Sequence, residues 1–173
     1  LSIAHEPSYI EAVRAGNLTK EQQATLGLPW SEVLKQRSFV APNGTLLAAQ
    51  LALQTGIACH AAGGTHHAHR DFGAGFCVFN DLAFAALALL KLKLVKNVLI
   101  LDCDVHQGDG TASILMNDKA IFTCSIHCNE NYPAKKVKSD LDLPISKGAG
   151  DSEYLATVNQ GLLEIDRLNF YPD

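Results

Sequence analysis

The chain has no long apolar run and no strongly basic stretch. No segment approaches the roughly 20 apolar residues that a membrane-spanning helix needs, and the opening residues lack a charged region followed by an apolar one. The largest basic cluster is Lys135-Lys136 in a chain of net charge −4, which disfavours a nucleic-acid backbone as the main ligand. We therefore expect no nucleic-acid partner, no membrane partner and no secretion.

The sequence also lacks the even set of cysteines that a disulfide framework requires. Its five cysteines lie scattered through apolar stretches: Cys59, Cys77, Cys103, Cys124 and Cys128. This distribution predicts reduced, buried thiols and a cytoplasmic protein. Cys124 and Cys128 have no second pair of ligands nearby in the sequence, so a structural role is favoured over a metal site for them.

Internal repeats, linkers and low-complexity segments are absent as well. A chain of 173 residues that is 47% hydrophobic has the length for one domain, residues 1–173, with one substantial core. Apolar spacing and capping residues predict helices over 9–14, 31–35, 46–55, 82–92, 111–116 and 152–167, and strands over 57–59, 98–101 and 120–127. A helical turn over 19–23 is predicted to begin with a capping box of Thr19 and Gln22, and Asn80-Asp81 to cap the helix over 82–92. Residues 140–151 are predicted to be a loop. Strand, helix and strand over 98–127 form a βαβ unit, which predicts a parallel sheet with helices on both faces.

The segment from Asp102 to Gly110 directly follows the four aliphatic residues 98–101. Open α/β sheets bind their ligands where buried strands end, and alternation along a strand predicts that Asp102, Asp104 and His106 share one face. Two carboxylates and an imidazole suit a divalent metal, and a catalytic zinc normally has three protein ligands. The alternative is a solvated turn rich in aspartate and glycine.

A second cluster, residues 63–68, places His66 next to His67 in a loop bounded by glycines. Such a loop is a poor place for core residues and a good one for acid/base groups. Asp102 and Asp109 then remain as partners for the two imidazoles. His60 lies outside the adjacent pair, and we assign it no catalytic role.

Three linked motifs carry a family resemblance. Residues 63–68, residues 73–81 and residues 102–110 resemble, in order and spacing, the zinc-dependent histone deacetylase family, which includes bacterial deacetylase-like and acetoin-utilisation-type proteins. Thr65, where many eukaryotic members carry a bulkier residue, is more similar to the bacterial and class IV branch. The resemblance implies a three-layer α/β/α fold with a mainly parallel sheet, of the arginase/deacetylase type, and a zinc cofactor.

The resemblance also implies roles for the polar residues of the two clusters. Asp104 and His106 are expected to bind zinc. His67 is expected to be the general base, held by Asp109, and His66 the imidazole nearer the leaving amine, held by Asp102. A monovalent cation, K⁺, is implied at a site built largely from main-chain oxygens of Asp102, Asp104, His106, Ser125 and Ile126.

Three further residues are implied to contact the substrate. Gly75 and Phe76 match the segment whose aromatic lines a narrow tunnel for an acyl-lysine chain, and Tyr132 matches the second tunnel-wall aromatic. Composition alone favours core packing for Phe76, and a solvated tyrosine is the competing interpretation of Tyr132.

The expected activity is zinc-dependent removal of acetyl or related acyl groups from lysine or from a small amine such as a polyamine. The family's third zinc ligand and its oxyanion-stabilising tyrosine are expected beyond Asp173, so the fold is expected to be incomplete at the C-terminus and the fragment alone inactive. A catalytically silent acyl-group binding module is one alternative. A manganese ureohydrolase of the same superfamily is another, disfavoured because a binuclear site needs more carboxylates.

Overall fold

The computed structural model describes residues 1–173 and divides into two compact units, Leu1–Leu94 and Val95–Asp173. The first unit is helical, and the second contains a sheet with two helices. A single domain over 1–173 stays a prediction. None of the helices combines the length and the apolar character that a membrane-spanning helix requires.

The first unit begins with two short helices whose ends follow the local sequence. Helix α1, Pro7–Ala15, has its proline in the first turn, where no backbone N–H is needed, and ends at Gly16 in the left-handed conformation. Helix α2, Lys20–Leu26, begins with the predicted capping box, in which Thr19 accepts from the Gln22 N–H and the Gln22 side chain accepts from the Thr19 N–H.

Helix α3, Glu32–Thr55, replaces the two separate helices predicted over 31–35 and 46–55. It starts at Ser31, whose side chain accepts from the Leu34 N–H, and runs through Pro42 and Gly44. A proline inside a helix costs about 3 kcal/mol, but Ser38 and Pro42 are buried on one side of α3, which packs against helix α4, Asp81–Lys91. Packing therefore outweighs local propensity here.

The core of the first unit centres on Phe79. Its ring meets those of Tyr9 and Phe39 edge-on at centroid distances of 5.6 and 5.2 Å. The Tyr9 hydroxyl donates to the Val78 carbonyl at 2.8 Å, so this buried tyrosine satisfies its polar end. The strand predicted over 57–59 does not form; the chain there is irregular and Ile57 is exposed.

The second unit is built on a parallel sheet in the order β1-β2-β3. Strands β1, Val98–Asp102, and β2, Ile121–Cys128, are joined by helix α5, Asp109–Leu115, as the predicted βαβ unit. Strand β3, Leu141–Ile145, and helix α6, Asp151–Arg167, complete the unit. The buried side chains of this core are Cys124, Ile126, Leu143, Ile145 and Ile165.

Strand β3 contradicts the prediction of a loop over 140–151. It is short, contains Pro144 and lies at the edge of the sheet, where a missing backbone donor is tolerated. Proline in a short run weakens the strand signal in the sequence, and only the pairing with β2 reveals it.

The five thiols are all free but are not uniformly buried. Cys77 and Cys124 are buried, Cys128 is half-buried, and Cys59 and Cys103 are exposed, so the prediction of buried thiols is wrong for the last two. Cys59 lies on the irregular segment after α3, and Cys103 follows β1 where the chain leaves the sheet. Burial raises the pKa of Cys124 to about 11, which keeps that thiol protonated.

The buried imidazole of His5 predicts a pH dependence of folding. Its Nε2 accepts from the Asn80 N–H at 2.9 Å beside the Phe79 ring, and burial lowers its pKa to about 4. Between about pH 6.5 and 4 the unfolded chain binds a proton at this position and the folded chain does not, so the free energy of unfolding falls as pH falls, by up to about 3 kcal/mol. Urea unfolding at pH 7 and pH 5 measures it.

The matched variant is His5→Gln, which retains an acceptor for Asn80 and cannot titrate. It should lose less stability than the wild type between pH 7 and pH 5, whereas His69→Gln should follow the wild type. The same pH slope in His5→Gln and the wild type would contradict the assignment.

Candidate active site

The loop that carries the adjacent histidines is held by one buried carboxylate. Asp81, at the start of α4, is fully buried and accepts from Gly64 N at 3.0 Å, Thr65 N at 2.7 Å and Thr65 Oγ1 at 2.6 Å. The hydroxyl of Thr45 on α3 donates to the same carboxylate. Asn80 caps α4 by accepting from the Ala83 N–H, which leaves Asp81 to bind the loop.

His60, to which no catalytic role is assigned, is hydrogen-bonded to Thr45 and so to Asp81. Its Nδ1 lies 2.8 Å from Thr45 Oγ1. Because the Thr45 hydroxyl proton points at Asp81, the hydroxyl can only accept from His60, so His60 carries its proton on Nδ1. Gly63 closes the cluster: a Cβ there would lie 2.8 Å from Asp81 Oδ2 and 2.9 Å from Thr45 Oγ1.

His66 and His67 are both buried, with ring centroids 4.0 Å apart. Gly75 lets the chain pass directly over the His67 ring, because a Cβ at that glycine would lie 2.5 Å from His67 Cδ2. Two buried imidazoles in a loop that is itself fixed suit acid/base chemistry, which needs side chains of restricted orientation. Their pairing with Asp102 and Asp109 stays a prediction.

Phe76 is exposed, which makes its core-packing interpretation wrong. It is 65% exposed and adopts the left-handed φ of 67°, which is uncommon for a side chain of this size. Its backbone N–H donates to the Leu26 carbonyl at 2.8 Å, and its ring lies over Gly27, where a Cβ would be 2.9 Å away. An exposed aromatic held in a strained conformation is typical of a functional position. Its contact with substrate stays a prediction.

In the second unit, the acidic motif leaves the strand sooner than alternation predicts. Strand β1 ends at Asp102, and residues 103–107 turn. The Asp104 N–H donates to Asp102 Oδ1 at 3.0 Å, and the His106 N–H donates to Asp104 Oδ1 at 2.7 Å. Successive aspartate turns, rather than a shared strand face, bring the side chains together.

Asp104 and His106, the two predicted metal ligands, lie side by side. Asp104 Oδ1 and His106 Nδ1 lie 2.9 Å apart, and the two side chains are 49% and 38% exposed. Two atoms bound tetrahedrally to one zinc at about 2.0–2.2 Å lie about 3.4 Å apart, so a carboxylate oxygen and an imidazole nitrogen placed in this way suit that ion once they separate by about 0.5 Å. No cluster of three or more histidine, cysteine, aspartate or glutamate side chains that could hold a metal ion assembles in the chain.

The remaining predicted residues surround this pair in the second unit. Ser125 pairs with Asp102 in the register of β1 and β2, and Ile126 follows it in the core. Asp109 is buried at the start of α5. Tyr132 is 41% exposed, and its ring stands edge-on to that of His106 at a centroid distance of 6.2 Å.

The sequence profile of the histone deacetylase domain matches residues 1–173. The chain belongs to the histone deacetylase family.

Relatives of this deacetylase-family chain share its sequence over most of its length. Over 155 residues it is 50% identical to an uncharacterized protein of Picosynechococcus sp., covering 90% of this chain and 52% of that protein. Over 143 residues it is 34% identical to the acetoin utilization protein AcuC of Bacillus subtilis, covering 76% of this chain and 36% of that protein. The chain thus spans about half of the first relative and about a third of the second.

Solved structures give the same result for the fold. An HDAC homolog in complex with SAHA superimposes with a TM-score of 0.86 at 25% identity, covering 99% of this chain and 52% of that one. An acetylpolyamine aminohydrolase from Burkholderia pseudomallei superimposes with a TM-score of 0.77 at 22% identity, covering 98% and 62%, a likeness of fold alone. The predicted class, three-layer α/β/α with a mainly parallel sheet of the arginase/deacetylase type, is confirmed.

The contact between Gly75 and His67 yields a prediction that separates backbone strain from ring clash. Gly75→Ala places a methyl group at left-handed φ and against the His67 ring, whereas Gly56→Ala places one at left-handed φ in open space. We expect Gly56→Ala to lose about 1–2 kcal/mol and Gly75→Ala to lose about 1–3 kcal/mol more. Denaturant unfolding measures the two losses.

The imidazole NMR signals of His67 provide the second readout. They should shift in Gly75→Ala and keep their wild-type positions in Gly56→Ala. Equal destabilisation by the two variants, with unchanged His67 signals, would show that the ring does not depend on this glycine.

Proposed function

We propose that the protein is a zinc-dependent deacetylase that removes acetyl or related acyl groups from acyl-lysine or from a small acylated amine. The observation that carries the proposal is the donor pair Asp104 Oδ1 and His106 Nδ1, 2.9 Å apart at the end of β1, in a chain of the histone deacetylase family. A zinc ion held there supplies Lewis acidity, which polarises an amide carbonyl and lowers the pKa of water to about 7.

The adjacent histidines supply the proton transfers. Water must lose a proton as it attacks the amide carbon, and the amine must gain one as it leaves. We assign the first transfer to His67, oriented by Asp109, and place His66, oriented by Asp102, nearer the leaving amine. A carboxylate behind an imidazole fixes its tautomer and raises its basicity. The burial of both rings supports these roles because it restricts their orientation.

Two exposed aromatic side chains support an acylated amine chain as the substrate. Phe76 and Tyr132 are exposed, and each lies on a segment held by backbone hydrogen bonds. Flat apolar rings suit the methylene chain of a lysine or a polyamine, with Gly75 leaving room beside His67. The known acetylpolyamine aminohydrolase with the same fold supports including polyamines among the substrates.

A K⁺ site and a cytoplasmic location complete the proposal. The predicted cation ligands are Asp102, Asp104, His106, Ser125 and Ile126. Ser125 pairs with Asp102 where β1 ends, and main-chain oxygens of this region would hold the ion. Five free thiols, two of them exposed, support a reducing compartment such as the cytoplasm.

The test separates metal ligands from the general base. In the full protein, Asp104→Ala and His106→Ala should each lose bound zinc and deacetylation of an acetyl-lysine peptide. His67→Ala should keep its zinc and lose activity by about 10²–10⁴-fold, more than His66→Ala, because it removes the base. Metal analysis and a fluorogenic assay on the same preparations measure both.

Asp166→Ala, on the exposed surface of α6, is the matched control and should retain zinc and activity. Undiminished zinc in both ligand variants would contradict the metal assignment. A wild-type protein that binds acetyl-lysine peptide without hydrolysing it would identify an acyl-group binding module instead.

A further inference from the structure

Gln107 directly follows the proposed ligand His106 and is only 1% exposed. Both the nitrogen and the oxygen of its side-chain amide form hydrogen bonds. Its Nε2 donates to the Val137 carbonyl and to Asp142 Oδ1, both at 2.7 Å, and its Oε1 accepts from the Val137 N–H at 2.9 Å. Buried amides are costly unless satisfied. Here one side chain joins the metal motif, a loop and strand β3.

The loop that Gln107 binds, residues 129–139, is braced from within. Lys136 Nζ donates to the carbonyls of Asn131 and Pro133, at 2.7 Å each, and Pro133 is buried. The far end is fixed by the Ser139 N–H, which donates to Asp142 Oδ2 at 2.9 Å. Asp142 therefore holds Gln107 with one oxygen and the loop with the other.

The braced loop carries Tyr132. Its N–H donates to Asn131 Oδ1 at 2.8 Å, and its ring stands edge-on to His106 while remaining 41% exposed. A polar loop of this length is ordinarily mobile. The hydrogen bonds through Val137 and Lys136 instead hold an exposed aromatic at a defined distance from the metal-donor pair.

We propose that Gln107 is a positioning residue that sets the place of Tyr132 beside His106 through its hydrogen bonds to Val137 and Asp142, and thereby sets how an acylated amine chain is bound. This assignment rests on the function proposed above. A glutamine that only filled space would be replaceable by an apolar side chain of the same size, and a positioning glutamine would not.

The deciding variant is Gln107→Met, which keeps the volume and removes all three hydrogen bonds. In the full protein we expect hydrogen exchange of the amides at residues 131–136 to quicken about tenfold or more, because the loop opens more often. Val137 is left out because its own N–H donates to Gln107. The amount of bound zinc should be unchanged, because the variant leaves the side chains of Asp104 and His106 intact.

Steady-state kinetics provide a measurement that would not change if Gln107 only filled space. We expect KM for an acetyl-lysine peptide to rise about tenfold with kcat within about threefold of the wild type, the signature of lost substrate positioning. Gln54→Glu, an exposed glutamine on α3, should change neither quantity. Wild-type exchange and wild-type KM in Gln107→Met would overturn the proposal.

A second pair of variants keeps the test sharp if Gln107→Met folds poorly. Lys136→Met removes the internal brace from an exposed loop without touching the core, and should quicken exchange at 131–135 and raise KM, while Lys135→Met, its exposed neighbour, should do neither. Equal effects of the two lysine variants would contradict the account. If the wild type proves unable to bind zinc or hydrolyse acetyl-lysine, the proposed function fails, and the exchange comparison still decides the role of Gln107.

Discussion

The loops of this protein depend on aspartates that accept backbone N–H groups where no helix or strand can. Asp81 accepts from Gly64 and Thr65, Asp142 from Ser139, and Asp104 from His106. A buried N–H without an acceptor costs about 1–3 kcal/mol, so Asp81 and Asp142, whose bonds to the loops are partly buried, favour one conformation of each loop. Irregular segments can therefore hold chemically useful side chains in place.

Asp104 also accepts a backbone N–H, and it is in addition a proposed metal ligand. Its Oδ1 accepts from the His106 backbone and lies against His106 Nδ1, so the imidazole is oriented before any ion arrives. To bind a cation through Nδ1, a neutral ring must carry its proton on Nε2. Asp81 holds the histidine loop in a similar way, by accepting from the N–H groups of Gly64 and Thr65.

Local signals made much of the fold predictable. The capping box at Thr19 and the asparagine cap at Asn80 both form where the sequence places them, because each needs only neighbours within four residues. The βαβ unit follows from apolar runs of the right length. Strand β3 and the continuous α3 were missed, because Pro144 and Pro42 carry local penalties that only edge position and tertiary packing explain.

The same difference between local and long-range signals applies to the candidate site. The closeness of Asp104 and His106 could be predicted from a motif of nine residues, although the strand alternation offered as the reason was wrong after Asp102. Asp81 and Gln107 could not be assigned their roles, since their partners lie 16 to 36 residues away in the sequence. For Asp81, the signal that could have indicated this role is its position beside Asn80, which already caps the helix and leaves the aspartate free of that task.

Whether Asp104 and His106 together bind the metal is decided by the position of zinc in a crystal of the full protein. Anomalous diffraction measured on both sides of the zinc absorption edge locates the ion independently of any assay. We expect one peak within about 2.0–2.2 Å of both Asp104 Oδ and His106 Nδ1. A peak at the thiols of Cys103 or Cys128 instead, or at His127, with none at the donor pair, would contradict it.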